Sequence, residues 1–121
     1  MNEYNVHMIS YGDSDYSKAK ARIKEEASSS GFFKTIQMYS PNDLTVEFKD
    51  KYADILNKPR GGGYWIWKFD IILQRLSELN ENDYLVYIDA GCTINKEGHK
   101  RFNEYIDLLH KSEYGIISFQ M

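Results

Sequence analysis

The chain has 121 residues, 42% of them hydrophobic and 27% charged, which is typical of a folded globular domain and excludes disordered, collagen-like and low-complexity classes. Fifteen basic against eighteen acidic residues give a formal charge of −3, and this lack of basic excess disfavours a general role in binding DNA or RNA. We therefore predict one domain over residues 1–121 and no nucleic-acid partner.

The first part of the chain alternates strand and helix patterns. Residues 5–11 predict a strand, and residues 15–28 predict a helix. The inward positions of this helix recur every four residues: Ala19, Ile23 and Ala27. Serines before Gly31 predict the end of the helix. Residues 33–39 have mixed polarity and predict a second strand near a sheet edge.

Two helices are predicted in the middle of the chain. The sequence Ser40-Pro41-Asn42-Asp43 is typical of a helix start, because serine caps, proline suits the first helical position and Asp43 stands where a capping box places an acid. The expected buried stripe of this helix is Leu44, Phe48, Tyr52 and Ile55. A second helix follows the glycines at 61–63, and its expected buried stripe is Trp65, Phe69, Ile72, Leu76 and Leu79.

The last part of the chain contains the most apolar strand. Residues 84–88, Tyr-Leu-Val-Tyr-Ile, predict a central strand buried on both faces of a parallel sheet. A helix is predicted over 97–110 and a final strand over Tyr114–Phe119. The helix is expected to turn Phe102, Tyr105, Ile106 and Leu109 inward. The order β-α-β-α-α-β-α-β predicts an α/β fold with an open, mostly parallel, Rossmann-like sheet and flanking helices.

Ligands of such sheets bind beyond the carboxyl ends of the strands, and two polar strand ends are candidates. One is Ser10-Tyr11-Gly12 and the other is Asp89-Ala90-Gly91. A carboxylate directly after five apolar residues is costly to bury unpaired, so Asp89 is expected to meet solvent, a donor, a cation or a ligand. The pattern alone leaves two interpretations of Asp89 open, a ligand contact and a cap of the following turn.

A further candidate is the segment Arg60-Gly61-Gly62-Gly63, which precedes a helix. Glycines let the backbone approach an anion, a helix N-terminus favours it, and Arg60 and Lys68 add positive charge. The segment has no Walker ending and follows no strand, so a plain connection is the favoured interpretation of the pattern alone. Core packing is the default for at least two of the three residues Tyr64, Trp65 and Trp67, and because Trp65 lies on the expected core stripe, the residue that lines a cleft would be Trp67 or Tyr64.

Residues 60–95, RGGGYWIWKFDIILQRLSELNENDYLVYIDAGCTIN, resemble the central block of a bacterial glycosyltransferase family of the GT-A type, associated with surface-polysaccharide synthesis. The block joins a Gly-Tyr-Trp-x-Trp-Lys segment, a helix, an apolar strand and an acidic turn. Residues 102–121 continue the likeness. The resemblance implies hexosyl transfer from a nucleotide-diphosphate sugar to a glycan or lipid-linked acceptor.

The resemblance also implies roles for the strand ends. The end of the first strand would approach the nucleoside, and Arg60 or Lys68 would approach the diphosphate. Asp89 matches the first acid of an Asp-x-Asp element that holds Mn²⁺ or Mg²⁺ against the phosphates, although Gly91 replaces the second acid. No catalytic residue is assigned. The expected substrate-binding residues are Ser10, Tyr11, Gly12, Arg60, Gly62, Gly63, Trp67, Lys68, Asp89, Ala90 and Gly91.

Members of this family are generally longer, so we expect the chain to correspond to the donor-binding half and to self-associate. One alternative is a non-catalytic binding or assembly module on the same fold. A phosphoacceptor receiver domain is a second alternative, disfavoured because the strand-end aspartate stands at position 89 instead of about halfway along the chain and because no lysine lies beside Tyr114–Phe119. The sequence shows neither a secretion signal nor a membrane-helix pattern, so we expect a cytoplasmic protein without a membrane span.

Overall fold

The computed structural model describes residues 5–56, 66–112 and 115–116. Three strands in these ranges form a parallel sheet in the order β2-β1-β3. They are β1 (Val6–Tyr11), β2 (Thr35–Tyr39) and β3 (Tyr84–Tyr87). Helices flank the sheet, so the predicted α/β class with an open parallel sheet is confirmed. The predicted last strand, Tyr114–Phe119, falls mostly outside the described residues.

Five α-helices are seen in the described ranges: α1 (Ser17–Ser30), α2 (Val46–Lys51), α3 (Ala53–Leu56), α4 (Trp67–Glu78) and α5 (His99–Lys111). Short 3-10 turns precede three of them, at Ser14–Tyr16, Pro41–Asp43 and Lys96–Gly98. Within this part of the chain, none of the helices has the length and apolar character that crossing a bilayer requires.

The central strand of the described sheet is β1, and not β3 as the apolar run predicted. All six residues of β1 are buried, and β1 pairs on both sides, with His7 opposite Thr35 on one side and Leu85 on the other. Strand β3 is half-buried along its whole length. Its apolar run includes two tyrosines, and the hydroxyl groups of Tyr84 and Tyr87 both form polar contacts. Apolar composition alone therefore overstated the burial of this strand.

Alternation along β1 builds one core on each face of the sheet. Ile9 and Tyr11 pack toward α4, where Trp67 and Ile71 complete a buried cluster with Tyr39 and Leu44. Met8 packs on the opposite face against α1, through Ile23 and Ala27. This confirms the predicted inward face of α1. The helix continues through the serines predicted to end it and stops at Gly31, whose φ of 74° is one that glycine adopts without strain.

The predicted helix from Ser40 is broken into pieces. The Ser40 amide donates to the Asp43 carboxylate at 2.8 Å, as a capping box requires, but the chain then becomes extended at Leu44. A new helix, α2, begins after Thr45, whose hydroxyl oxygen accepts from the Phe48 amide at 3.2 Å. The prediction of one continuous helix is therefore wrong, because a second cap lies within it. Its last stripe position, Ile55, is exposed.

The buried face of α4 also differs from the predicted stripe. Phe69 is 71% exposed and Leu76 is 49% exposed, whereas Trp67 and Ile71 are buried. Trp65, the first position of the predicted stripe, lies outside the described residues. Two tertiary contacts select this face. The Trp67 ring stacks on Tyr11, and the Asp70 carboxylate accepts a hydrogen bond from the amide of Thr45, which caps α2.

The predicted inward face of α5 is confirmed. Ile106 is buried, and the other three expected inward positions are half-buried: Phe102, Tyr105 and Leu109. Phe102 stacks on Phe32 with ring centroids 4.8 Å apart. The Phe102–Phe32 contact joins α5 to the loop that leads into β2.

Candidate functional site

The carboxyl ends of β1 and β3 lie side by side, since the two strands are parallel neighbours. Alternation places Tyr87 and Asp89 on the same face, toward α4, and Tyr11 of β1 is also on that face. The first turn of α4 adds Trp67 and Lys68. We call this group of five residues the carboxyl edge.

The charged centre of the carboxyl edge is the pair Lys68 and Asp89. The Lys68 ammonium lies 3.6 Å from Asp89 Oδ1, and the Tyr87 hydroxyl donates to the same oxygen at 2.7 Å. The side chains of Lys68 and Asp89 are 36% and 52% exposed, so both reach solvent. Within the described residues the Asp89 carboxylate accepts a hydrogen bond from Tyr87, forms an ion pair with Lys68 and caps no backbone amide. This arrangement leaves oxygens of Asp89 and protons of Lys68 available to a ligand.

Aromatic rings form the floor beneath this pair. The Lys68 ammonium lies 5.0 Å from the Tyr87 ring centroid and 5.9 Å from that of Trp67, within cation–π range. Trp67 stacks on Tyr11 with centroids 3.8 Å apart. The expectation that Trp67 lines a cleft differs from the structure, because its side chain belongs to the core and the residue is only 5% exposed. Trp67 supports the edge from below.

Burial raises the pKa of both phenols of this site. It raises the pKa of Tyr87 far above its ordinary value, and the hydrogen bond to Asp89 raises it further. Burial, with the charges of Asp13 and Asp43, raises the pKa of Tyr11 to about 12. Tyr87 therefore keeps its proton and donates a hydrogen bond to Asp89 at physiological pH, and neither phenol is suited to act as a general base.

Ser10 and Ala90, two of the predicted contacts, lie on the other face of the sheet. Ala90 is buried in the core beside α1. Ser10 is fully buried, and its hydroxyl has no hydrogen-bond partner within the described ranges. Gly12 is buried and Gly91 is exposed. The structure thus brings Tyr11, Trp67, Lys68 and Asp89 together and separates Ser10 and Ala90 from them.

The predicted anion contact at Arg60-Gly61-Gly62-Gly63 is not among the described residues. Arg60, Gly62 and Gly63 lie outside the described residues, as does Tyr64. Its expected contribution to anion binding stays a prediction.

The donor set at Asp89 fits a resident metal ion poorly. A divalent cation needs several oxygen ligands, and no group of three or more His, Cys, Asp or Glu side chains in the described part of the chain is arranged to supply them. Oδ1 of Asp89 already faces a positive charge, the Lys68 ammonium at 3.6 Å. The described residues therefore do not supply a ligand set for Mn²⁺ or Mg²⁺.

Sequence reasoning missed Tyr87 and the pair Arg22 and Glu26. A signal for Tyr87 was present, because residues two apart in a strand share a face and Tyr87 precedes Asp89 by two positions. Arg22 donates to the carbonyl oxygens of Ala90 and Cys92, at 3.0 Å and 2.7 Å. These partners are 68 and 70 residues away along the chain, so no local sequence pattern predicts the contacts.

A second polar cluster lies at the opposite, amino edge of the sheet. The imidazole of His7 is 2.7 Å from Thr35 Oγ1 through Nδ1 and 3.2 Å from Asp83 Oδ2 through Nε2. Arg75 of α4 also donates to the Thr35 hydroxyl, at 2.8 Å. Burial raises the pKa of Asp83, but hydrogen bonds from Asn5, the Asn80 amide and His7 outweigh it and hold that pKa below its ordinary value. These bonds join the starts of all three described strands.

Comparisons with protein-family models, with curated proteins and with solved structures give no match to this chain. A function for this chain therefore has to follow from the contacts of the carboxyl edge. Those contacts combine a cation, a carboxylate and a neutral phenol at a half-exposed position beyond two strand ends. Such a set can bind a ligand that carries both negative charge and hydroxyl groups.

Proposed function

We propose that the chain binds a nucleotide-diphosphate sugar at the carboxyl edge, as the donor-binding part of a GT-A-type glycosyltransferase. The observation that carries the proposal is the half-exposed pair of Lys68 and Asp89, 3.6 Å apart, beyond the ends of neighbouring parallel strands. Open α/β sheets bind their ligands at this edge.

Each side chain of the pair suits one part of such a ligand. The Lys68 ammonium donates charge-assisted hydrogen bonds to diphosphate oxygens, and the Asp89 carboxylate accepts from ribose or sugar hydroxyls. A diphosphate that engages Lys68 replaces the weak, solvent-screened ion pair with Asp89, so little stabilisation is lost when the ligand enters.

The same pair supports transfer of the sugar. When the bond between sugar and diphosphate breaks, negative charge grows on the leaving diphosphate, and a fixed ammonium stabilises that charge more than it stabilises the ground state. The acceptor in this proposal is a glycan or a lipid-linked sugar. No catalytic base is assigned within the described residues.

A thermal-shift screen with UDP, GDP, CDP and dTDP, each with and without Mn²⁺, tests the proposal. A ligand present at 100 times its dissociation constant stabilises the folded state by about 2.7 kcal/mol, which is readily measured. We expect one diphosphate to raise Tm and the Lys68→Gln variant to lose most of that shift. The matched control is Lys51→Gln, because Lys51 also lies over a tyrosine ring, 5.4 Å from the Tyr52 centroid, and is not one of the five residues of the carboxyl edge. No shift with any nucleotide would overturn the proposal.

A second candidate, a non-catalytic assembly module, is favoured by an apolar stripe on the outer face of α4. Phe69, Leu73 and Leu76 are 71%, 67% and 49% exposed at helical spacing. Light scattering distinguishes the two candidates. Concentration-dependent association that Leu73→Ser abolishes, without any nucleotide response, supports the assembly module and contradicts the transferase.

A further inference from the structure

Helix α1 holds the turn that carries Asp89. Nη2 of Arg22 donates to the carbonyl oxygens of Ala90 and Cys92, at 3.0 Å and 2.7 Å. Both acceptors lie in the turn that follows Asp89. A guanidinium suits this task because its donors are fixed in one plane, whereas an ammonium is a single mobile centre.

Glu26, one helical turn later on α1, holds the far end of the same segment. Its Oε1 accepts from the Ile94 amide at 2.8 Å, and its Oε2 pairs with Arg22 Nη1 at 2.6 Å. The two side chains are 40% and 26% exposed, so solvent only partly screens the pair. One carboxylate therefore orients the guanidinium and fixes the chain at Ile94.

The turn itself leaves little freedom for Asp89. The Cys92 amide donates to the Asp89 carbonyl oxygen at 2.9 Å, which closes a four-residue turn with Asp89 at its first position. Ala90 anchors the turn from the inside, because it is buried against α1. The backbone is thus held at both ends and in the middle, while the Asp89 side chain extends to the other face toward Lys68.

We propose that Arg22, oriented by Glu26, is a positioning residue that fixes Asp89 for ligand binding at the carboxyl edge. The effect on the ligand rests on the proposed function, whereas the ordering of the turn does not. Arg22 acts on the α1 face and Asp89 binds on the α4 face, so Arg22 itself touches no ligand. Loss of the guanidinium is expected to loosen the turn and to spread the Asp89 carboxylate over several positions.

The first experiment measures the turn directly. Amide hydrogen exchange is followed at Cys92 and Ile94 in the native chain and in Arg22→Gln, with Arg22→Lys as the conservative variant. We expect faster exchange at both amides in Arg22→Gln and an intermediate rate in Arg22→Lys, because an ammonium can donate to the carbonyls but has no second nitrogen to pair with Glu26 at the same time. Arg101→Gln is the matched control, because Arg101 pairs with Glu104 at 2.9 Å on the exposed face of α5. Equal exchange in Arg22→Gln and Arg101→Gln overturns the positioning role.

The second experiment measures affinity for the diphosphate found in the thermal-shift screen. Residues of one hydrogen-bond network typically show coupling free energies that correspond to roughly twofold or more in affinity. We therefore expect Arg22→Gln to weaken diphosphate binding by about threefold or more. In an Asp89→Asn background, Arg22→Gln should add little further loss, because the residue it positions is already changed. Full additivity of the two substitutions contradicts the proposal. If the native chain binds no diphosphate, the proposed function fails, and the exchange rates still decide whether Arg22 orders the turn.

Discussion

The phenol ring of Tyr11 stacks on the indole of Trp67, with centroids 3.8 Å apart and planes inclined at 13°. This contact joins the end of β1 to the first turn of α4. Because Tyr11 is held in register opposite Tyr39, the stack also fixes the start of the helix. Lys68 follows Trp67 directly, so the packing of the core determines where the site's cation stands.

The buried face of α4 can be tested with two aliphatic substitutions. Ile71→Ala should lower the free energy of unfolding by about 2–5 kcal/mol, because it opens a cavity in a fully buried position. Leu73→Ala, at a position that is 67% exposed, should change it by about 0.5 kcal/mol or less. Urea unfolding of both variants measures the difference. Similar losses in the two variants would show that the helix is rotated from the described orientation.

Replacing Asp89 by asparagine separates binding from stability. The substitution keeps the shape and removes the charge, so nucleotide affinity should fall by about tenfold or more, the scale of one charge-assisted hydrogen bond. Tm without ligand should stay nearly unchanged, because the ion pair with Lys68 is half-exposed and stabilises little. Isothermal titration and thermal unfolding measure the two effects. Asp107→Asn, at an exposed position of α5, is the control. A fall in Tm with unchanged affinity would mean that Asp89 is structural.

The hydrogen bond from the Ile94 amide to Glu26, just after the turn, should respond to acid. The Ile94 amide, and then Arg22, lower the pKa of Glu26 below its ordinary value of 4.5. A lowered pKa in the folded state means that the carboxylate contributes stability above the unfolded-state pKa and loses it as the pH falls through the folded-state value. The Ile94 amide chemical shift should therefore titrate with a midpoint below 4.5. NMR spectra across the acid range test this, and the titration should vanish in Glu26→Gln. A midpoint at or above 4.5 contradicts the described bond.

Much of the fold was predictable because local patterns and packing agree. The period-four positions Ile23 and Ala27 in α1 are buried as expected, and alternating elements predicted a parallel sheet. Helix α4 shows where this reasoning ends. Apolar residues surround much of that helix, so several stripes fit the same spacing. Contacts with Tyr11 and Thr45, distant in sequence, select the buried face.

Part of the site was also predictable from the sequence. Tyr11 ends one predicted strand, and Asp89 directly follows another. Because parallel strands end at one edge of a sheet, the proximity of these two residues follows from the topology. The pleat explains the miss at Ser10, because Ser10 and Tyr11 are adjacent in a strand and must point to opposite faces. Arg22 could not be predicted, since its acceptors are backbone carbonyls, which carry no signature in sequence.

A methyl group at Gly12 should destabilise the end of β1. A Cβ built there lies 2.8 Å from Tyr16 Cβ and 3.1 Å from Lys20 Cδ. The Lys20 side chain is restrained, because its ammonium donates to the Gly12 carbonyl oxygen at 2.8 Å, and Tyr16 Cβ moves only with its backbone. Gly12→Ala should therefore lower the free energy of unfolding by about 1–3 kcal/mol, as overpacking does. Gly91→Ala is the matched control, because nothing lies within 4 Å of a Cβ at that position. Thermal and urea unfolding of the two variants decide the matter. If Gly12→Ala unfolds like the native chain, the loop from β1 to α1 has room that the described packing does not allow.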